Sequence, residues 1–134
     1  MSESALSPFT YAILRVVPRV ERGECFNAGV VLFCRQRDFL GLKVGLDEHR
    51  LAALAPGTPA DDVRGYLDAL ARVVAGSPDG GAIARLPPSE RFGWLVAPSS
   101  TIIQPSEVHT GLSHDPEATL NQLFTELVEP VRTP

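Results

Sequence analysis

Lysine is almost missing from this sequence: among 134 residues Lys43 stands alone. Neither G-x-x-x-x-G-K-[ST] nor G-x-G-x-x-G occurs, so the two common glycine-rich phosphate cradles are excluded. Basic residues are outnumbered, 12 against 16 acidic, for a net charge of -4 and a pI near 5.3. Affinity for nucleic acid or anionic lipid rests on clustered cations, so neither a nucleic acid nor a membrane partner is expected. C-x-x-C, H-E-x-x-H and an Asp/Asn-rich calcium loop are all lacking, as is a G-x-S-x-G nucleophile elbow. No metal or cofactor is therefore expected, and a serine hydrolase is disfavoured. The longest apolar runs, near residues 11–17 and 28–34, fall far short of the ~20 needed to cross a bilayer. Residues 1–10 lack the basic-then-apolar order of a signal peptide, which makes the bacterial cytoplasm the default location.

Cysteine is scarce too. Cys25 and Cys34 flank one apolar run, and nine extended steps of about 3.3 Å separate them by roughly 30 Å. A disulfide needs Cα atoms within about 7 Å, so both are expected as small buried hydrophobes. Without staples, a chain of this length still buries roughly two-thirds of its unfolded surface, enough for one core.

What is present describes a single α+β domain over residues 1–134, with no internal repeat. Phe9 to Val17 puts Phe9, Tyr11 and Ile13 on one face and Thr10, Ala12, Leu14 and Val16 on the other before Pro18, the pattern of a strand. Phe26 to Cys34 is apolar almost throughout, as expected of a central strand covered on both faces. After the Arg35-Gln36-Arg37 turn, Asp38 to Leu46 alternates Leu40, Leu42, Val44 and Leu46 against Phe39, Gly41, Lys43 and Gly45, which predicts a third strand with one buried face. Asp47 caps a short helix through Leu54. Thr58-Pro59-Ala60-Asp61 places a capping hydroxyl and a first-turn proline before a helix over 59–75 whose stripe is Val63, Tyr66, Leu67, Leu70 and Val74. Asp115-Pro116 starts a second helix over 116–129, striped by Leu120, Leu123, Phe124, Leu127 and Val131. Pro87-Pro88 breaks the chain before Arg91 to Val96, Thr101 to Gln104 suits a fourth strand, and Pro105 to Asp115 is expected as a loop. The fold expected is an antiparallel sheet of at least three strands packed by two amphipathic helices.

Charge drifts along the chain, from +2 over residues 1–46 through -2 over 47–104 to -4 over 105–134, so the C-terminal segment is suited to pack back on the first strands. Two polar clusters stand out. In the connection from Arg19 to Asn27, Arg22 offers a bidentate donor fork and Asn27 begins an otherwise apolar strand, where a buried amide must find partners. The other cluster is Ser99-Ser100-Thr101 with Gln104, Ser106, His109 and Thr110, hydroxyls that ordinarily satisfy their own turns. His49 and His114 are expected in solvent. If the clusters converge on one cleft, between the 19–27 loop and the 99–110 segment, a small enzyme results. Glu24 or His109 would be its general base, Arg22 its anion clamp, and Asn27 and Gln104 its binding groups.

The order of motifs resembles an uncharacterised bacterial family, domain of unknown function 3037. Tyr11-Ala12-Ile13-Leu14-Arg15-Val16-Val17-Pro18 is followed by Arg22-Gly23-Glu24 and Asn27-Ala28-Gly29-Val30-Val31-Leu32. Phe92-Gly93-Trp94-Leu95, Gln104-Pro105-Ser106, Val108-His109-Thr110-Gly111 and Asp115-Pro116 with Leu123-Phe124 complete it. The resemblance implies a small single-domain protein, often encoded beside a HipA-like kinase, with no established activity. On that footing the chain is expected to be an interaction or accessory module, its partner the HipA-like kinase. Arg19, Arg22 and Trp94 are exposed-loop candidates of types favoured at interface hot spots, although a core position is the more usual one for Trp94.

Overall fold

The computed structural model describes residues 5–130. Four β-strands follow one another in space as β3 (Phe39–Val44), β2 (Phe26–Cys34), β1 (Ser7–Val16) and β4 (Ile103–Pro105), while a fifth, β5 (His109–Ser113), also pairs with β1. All pairings are antiparallel. β1 takes β2 along one edge and divides the other, with Leu14 to Val16 opposite β4 and Ser7 to Tyr11 opposite β5. The sheet expected from the sequence is thus present and larger, and β2 lies inside it.

One face is covered by α1 (Glu48–Leu54), α2 (Ala60–Ala75) and α3 (Pro88–Leu95), whose Leu51, Val63, Leu67, Val73, Phe92 and Leu95 pack on Ala12, Leu14, Val16, Phe26, Ala28 and Val31. The other face carries α4 (Pro116–Leu127), with Leu120, Phe124 and the following Val128 against Phe9, Val30, Leu32 and Cys34. Burial of each such side chain stabilises by roughly 1.5–3 kcal/mol. The face expected to be exposed on the third strand is instead beneath α4. A Cβ at Gly41 would stand 2.8 Å from Leu120, and one at Gly45 would stand 2.8 Å from Phe124, so the missing side chains make room for the helix. Lys43, between them, reaches over the Phe124 ring to Asn121 Oδ1 at 3.2 Å.

A β-bulge on β2 sets the direction of one key residue. Leu14 pairs with Gly29 but Arg15 pairs with Asn27, leaving Ala28 as an extra residue whose carbonyl accepts from Gly45 N–H at 2.8 Å. Strict alternation from Val30 would have put Asn27 on the three-helix side; the extra residue turns it toward α4. A Cβ at Gly29 would meet Val44 Cγ1 at 2.9 Å and the Lys43 carbonyl at 3.1 Å, so only glycine fits there.

Local signals decide the helix ends. Asp47 accepts from the backbone of His49 and Arg50, and Asp115 from Ala118. The Thr58 hydroxyl does not cap α2; Pro59 itself occupies the N-cap position. Gly76, left-handed at φ 65°, ends α2 as expected. Three further expectations change. Pro105 to Asp115 is not a loop, because it contains β5. Pro88 opens α3 from its first turn, where its missing N–H has no helical partner to lose. Cys25 is exposed rather than buried, while Cys34 is buried and both thiols are free. Val131 of the predicted α4 stripe lies outside the described residues.

Candidate functional site

Asn27, turned by the bulge, donates from Nδ2 to the Leu127 carbonyl at 2.9 Å. That bond fastens the last turn of α4 to β2, giving the amide a partner and a structural task. Ser106 is also built in. It is buried, its Oγ accepts from Ile13 N–H at 2.8 Å and donates to the Glu107 carbonyl at 2.8 Å, and its own N–H donates to the Ile13 carbonyl at 2.8 Å. Gln104 donates to the Thr101 carbonyl of its own turn at 3.0 Å, and Ser99 and Thr101 hydroxyls bond each other at 3.0 Å.

Asn27 and Gln104 do come together. Both are in register with Arg15, one on each side of β1, so Asn27, Arg15 and Gln104 form a row across the α4-side face. Arg15 is half-buried and has no acidic partner among the described residues. His109 shares that face opposite Tyr11, its ring 5.2 Å from the tyrosine ring and its Nε2 3.6 Å from Glu107 Oε1. Four steps of strand lead from Tyr11 to Arg15, which puts His109 about 13 Å from the row.

Arg22 and Glu24 stand apart from these residues. They follow the end of β1 and line a shallow cleft of about 490 Å³ with Arg19, the last two residues of α1 and the connection from Ala55 to Thr58, on the three-helix side. Arg22 Nε donates to Glu24 Oε1, and this bond and the carboxylate's charge raise the guanidinium pKa above its ordinary value. Each group thus engages the other through one atom, Arg22 through Nε and Glu24 through Oε1. Arg19 is exposed, 3.9 Å from Glu21. Arg19, Arg22 and Glu24 therefore line a surface apart from the 99–110 segment, whereas Asn27, at the end of that loop, joins Gln104 across β1.

An apolar groove that the sequence did not announce lies on the three-helix side. It has a volume of about 350 Å³ and runs between α2, α3 and β4, with Leu70, Leu95, Ile103 and Pro105 in its lining. Tyr66 and Trp94 line it as well, and they are 52% and 46% exposed, whereas the sequence placed Tyr66 in the core stripe and allowed Trp94 a core position. Large aromatics on a surface are otherwise expensive to leave in water, so a pair of them bordering one groove is informative. A second, smaller hollow of about 320 Å³ continues past Trp94 to Gly80–Ile83. The groove walls are fixed by Arg91, which donates to the Val73 carbonyl at 3.2 Å, the Val74 carbonyl at 2.6 Å and the Leu86 carbonyl at 2.9 Å. One side chain thus satisfies the open end of α2 and ties it to α3. The signal for Tyr66 was its place at the margin of the stripe, three residues after Val63 and four before Leu70. For Trp94 the signal was its residue type alone, since α3 is too short to show a stripe.

Among the described residues no group of three His, Cys, Asp or Glu side chains is gathered as metal ligands would be, and no helix is long and apolar enough to cross a membrane. A family model with the description "Protein of unknown function (DUF3037)" matches residues 11–128, from the middle of β1 to the end of α4. No curated protein and no solved structure matches the chain.

Proposed function

This chain belongs to the DUF3037 family, and we propose that it works as a protein-interaction module that seats an apolar segment of a partner in the α2–α3–β4 groove. The observation that carries this is the exposure of Tyr66 and Trp94 along one groove. Tyrosine and tryptophan are the residues most enriched at interface hot spots, since each contributes a large contact area and loses little conformational entropy. The Arg91 clamp supports the proposal, because a groove with fixed walls does not spend binding energy on ordering itself. The partner we favour is the HipA-like kinase to which the family resemblance points, in a bacterial cytoplasm.

Co-purification of the chain with that kinase tests the proposal. Trp94→Ala and Tyr66→Ala should each weaken capture at least tenfold, about 1.4 kcal/mol, with thermal stability little changed because both rings are half exposed. A kinase that fails to bind at tens of micromolar, or binds both variants as well as the parent, overturns it. Arg22→Ala, in a separate cleft, is expected to leave capture by the groove unchanged.

A second reading, a small enzyme or anion-binding protein, is favoured by Arg15 standing between Asn27 and Gln104 with no partner among the described residues. Its base would be His109, as Glu24 is engaged by Arg22. Turnover of any phosphate ester or carboxylate that Arg15→Ala or His109→Ala abolishes would place it first.

A further inference from the structure

We propose that β5 is a dimerisation edge at which a second copy of this chain continues the sheet. β5 pairs with β1 alone, so its other side carries unpaired backbone groups among the described residues. Which groups these are follows from β1. The N–H and carbonyl of Ile13 both point to Ser106, on the side of β4 and β5, and the Pro8 carbonyl points to β2, where it accepts from Cys34 Sγ at 3.4 Å. Phe9, Tyr11 and Ile13 therefore bond toward β4 and β5, and Pro8 and Thr10 bond toward β2. Across an antiparallel pair the alternation is shared. Gly111 and His109, opposite Phe9 and Tyr11, spend their backbone groups on β1, while Thr110 and Leu112, opposite Thr10 and Pro8, point theirs outward.

The same residues show their side chains to solvent. Leu112 is 63% exposed, and flanking Val108 and Leu6 are 42% and 53% exposed. Natural edges are blunted by lysine, proline, bulges or a covering element. The opposite edge, β3, has Lys43 and helices on both faces; β5, the run His109–Ser113, has none of these devices among the described residues.

A second copy fits because the strand complements itself. In a two-fold antiparallel arrangement centred on Thr110, Thr110 pairs with Thr110 and Leu112 with Val108, so every outward backbone group meets another and the exposed apolar side chains cover one another. Glu107 then faces Ser113. Centring on Gly111 would instead set Glu107 against Asp115, two like charges, and shifting by one residue would bring outward groups against inward ones. Charge and bonding parity thus select the Thr110-centred register over these two.

Sedimentation of the full chain at tens of micromolar is expected to show a dimer. Thr110→Pro removes only an outward N–H, leaves the β1 ladder intact, and should give a monomer with an unchanged circular dichroism spectrum. The register is tested by disulfide trapping in a Cys25→Ser background. Thr110→Cys puts two thiols on residues whose Cα atoms are about 5.5 Å apart, within bridging range, and should oxidise to a covalent dimer. Leu112→Cys leaves them about 13 Å apart and should not. A chain that is monomeric throughout that range, or that traps through Leu112→Cys as readily as through Thr110→Cys, overturns the proposal; should Thr110→Pro not fold, the cysteine pair decides it.

Discussion

Ser106→Ala separates a structural hydroxyl from a functional one. The hydroxyl is 5% exposed at the residue level and is the acceptor for the Ile13 N–H in the middle of β1. Alanine leaves that N–H where water does not easily reach, and an unsatisfied buried donor costs about 1–3 kcal/mol. The lost bond to the Glu107 carbonyl adds roughly 0.5–1.5 kcal/mol, part of which solvent restores because Glu107 is exposed. The sum is about 2–3 kcal/mol, a sizeable share of a typical 5–15 kcal/mol margin. Urea unfolding followed by circular dichroism is the suitable assay; the single tryptophan, Trp94, is half exposed already and changes environment little on unfolding. With a slope of about 2 kcal/mol per molar, the midpoint should fall by roughly 1–1.5 M. Ser99→Ala, in an exposed turn, should stay within about 0.5 kcal/mol of the parent. Equal midpoints for Ser106→Ala and the parent would refute the assignment and return Ser106 to the list of binding residues.

Arg91→Met keeps the aliphatic stem and removes the three bonds to the Val73, Val74 and Leu86 carbonyls; a stability loss of about 1–3 kcal/mol should accompany weaker partner capture, measured by unfolding and by co-purification. A chain ended after residue 113 uncovers Phe9, Val30 and Leu32 where Leu120, Phe124 and Val128 had packed; at roughly 1.5–3 kcal/mol per side chain it should lose cooperative unfolding, and a cooperative monomer would contradict the packing described. Asp79 accepts from the Ser77 hydroxyl, which holds its carboxyl below the ordinary carboxylate range. Its contribution is therefore present above the unfolded carboxylate pKa and lost as pH falls through the lowered one, so Ser77→Ala should be less stable than the parent at neutral pH and indistinguishable from it in strong acid.

Strands β1 to β3 and the two longest helices were legible because each carries a period that burial enforces: alternation at Phe9 to Val16, a continuous apolar run at Phe26 to Cys34, and helical spacing from Val63 to Val74 and from Leu120 to Phe124. β5 was not, because an edge strand paired on one side leaves Thr110 and Leu112 exposed and places Gly111 against the Phe9 ring, where side chains give no inward signal. The polar candidates were legible as residues that need partners, and Asn27 and Ser106 have them. Their partners, the Leu127 carbonyl and the Ile13 N–H, are backbone groups distant in sequence, which composition cannot indicate. The groove was hidden for a different reason: aromatic residues look alike in sequence whether they fill a core or border a surface hollow.

The division of β1 between early and late partners sets a timetable for the nascent chain. β2 and β3 can pair with it as soon as residue 44 has left the ribosome, but β4 and β5 begin only at Ile103 and His109. At about 5–20 residues per second, synthesis of the intervening stretch takes several seconds, during which one long edge of the first strand is open. Since α4 is made after even β5, the layer over Val30 and Leu32 arrives last. The chain is therefore most exposed to mispairing until β4, β5 and α4 have been made, and it is the arrival of α4 that closes the second face.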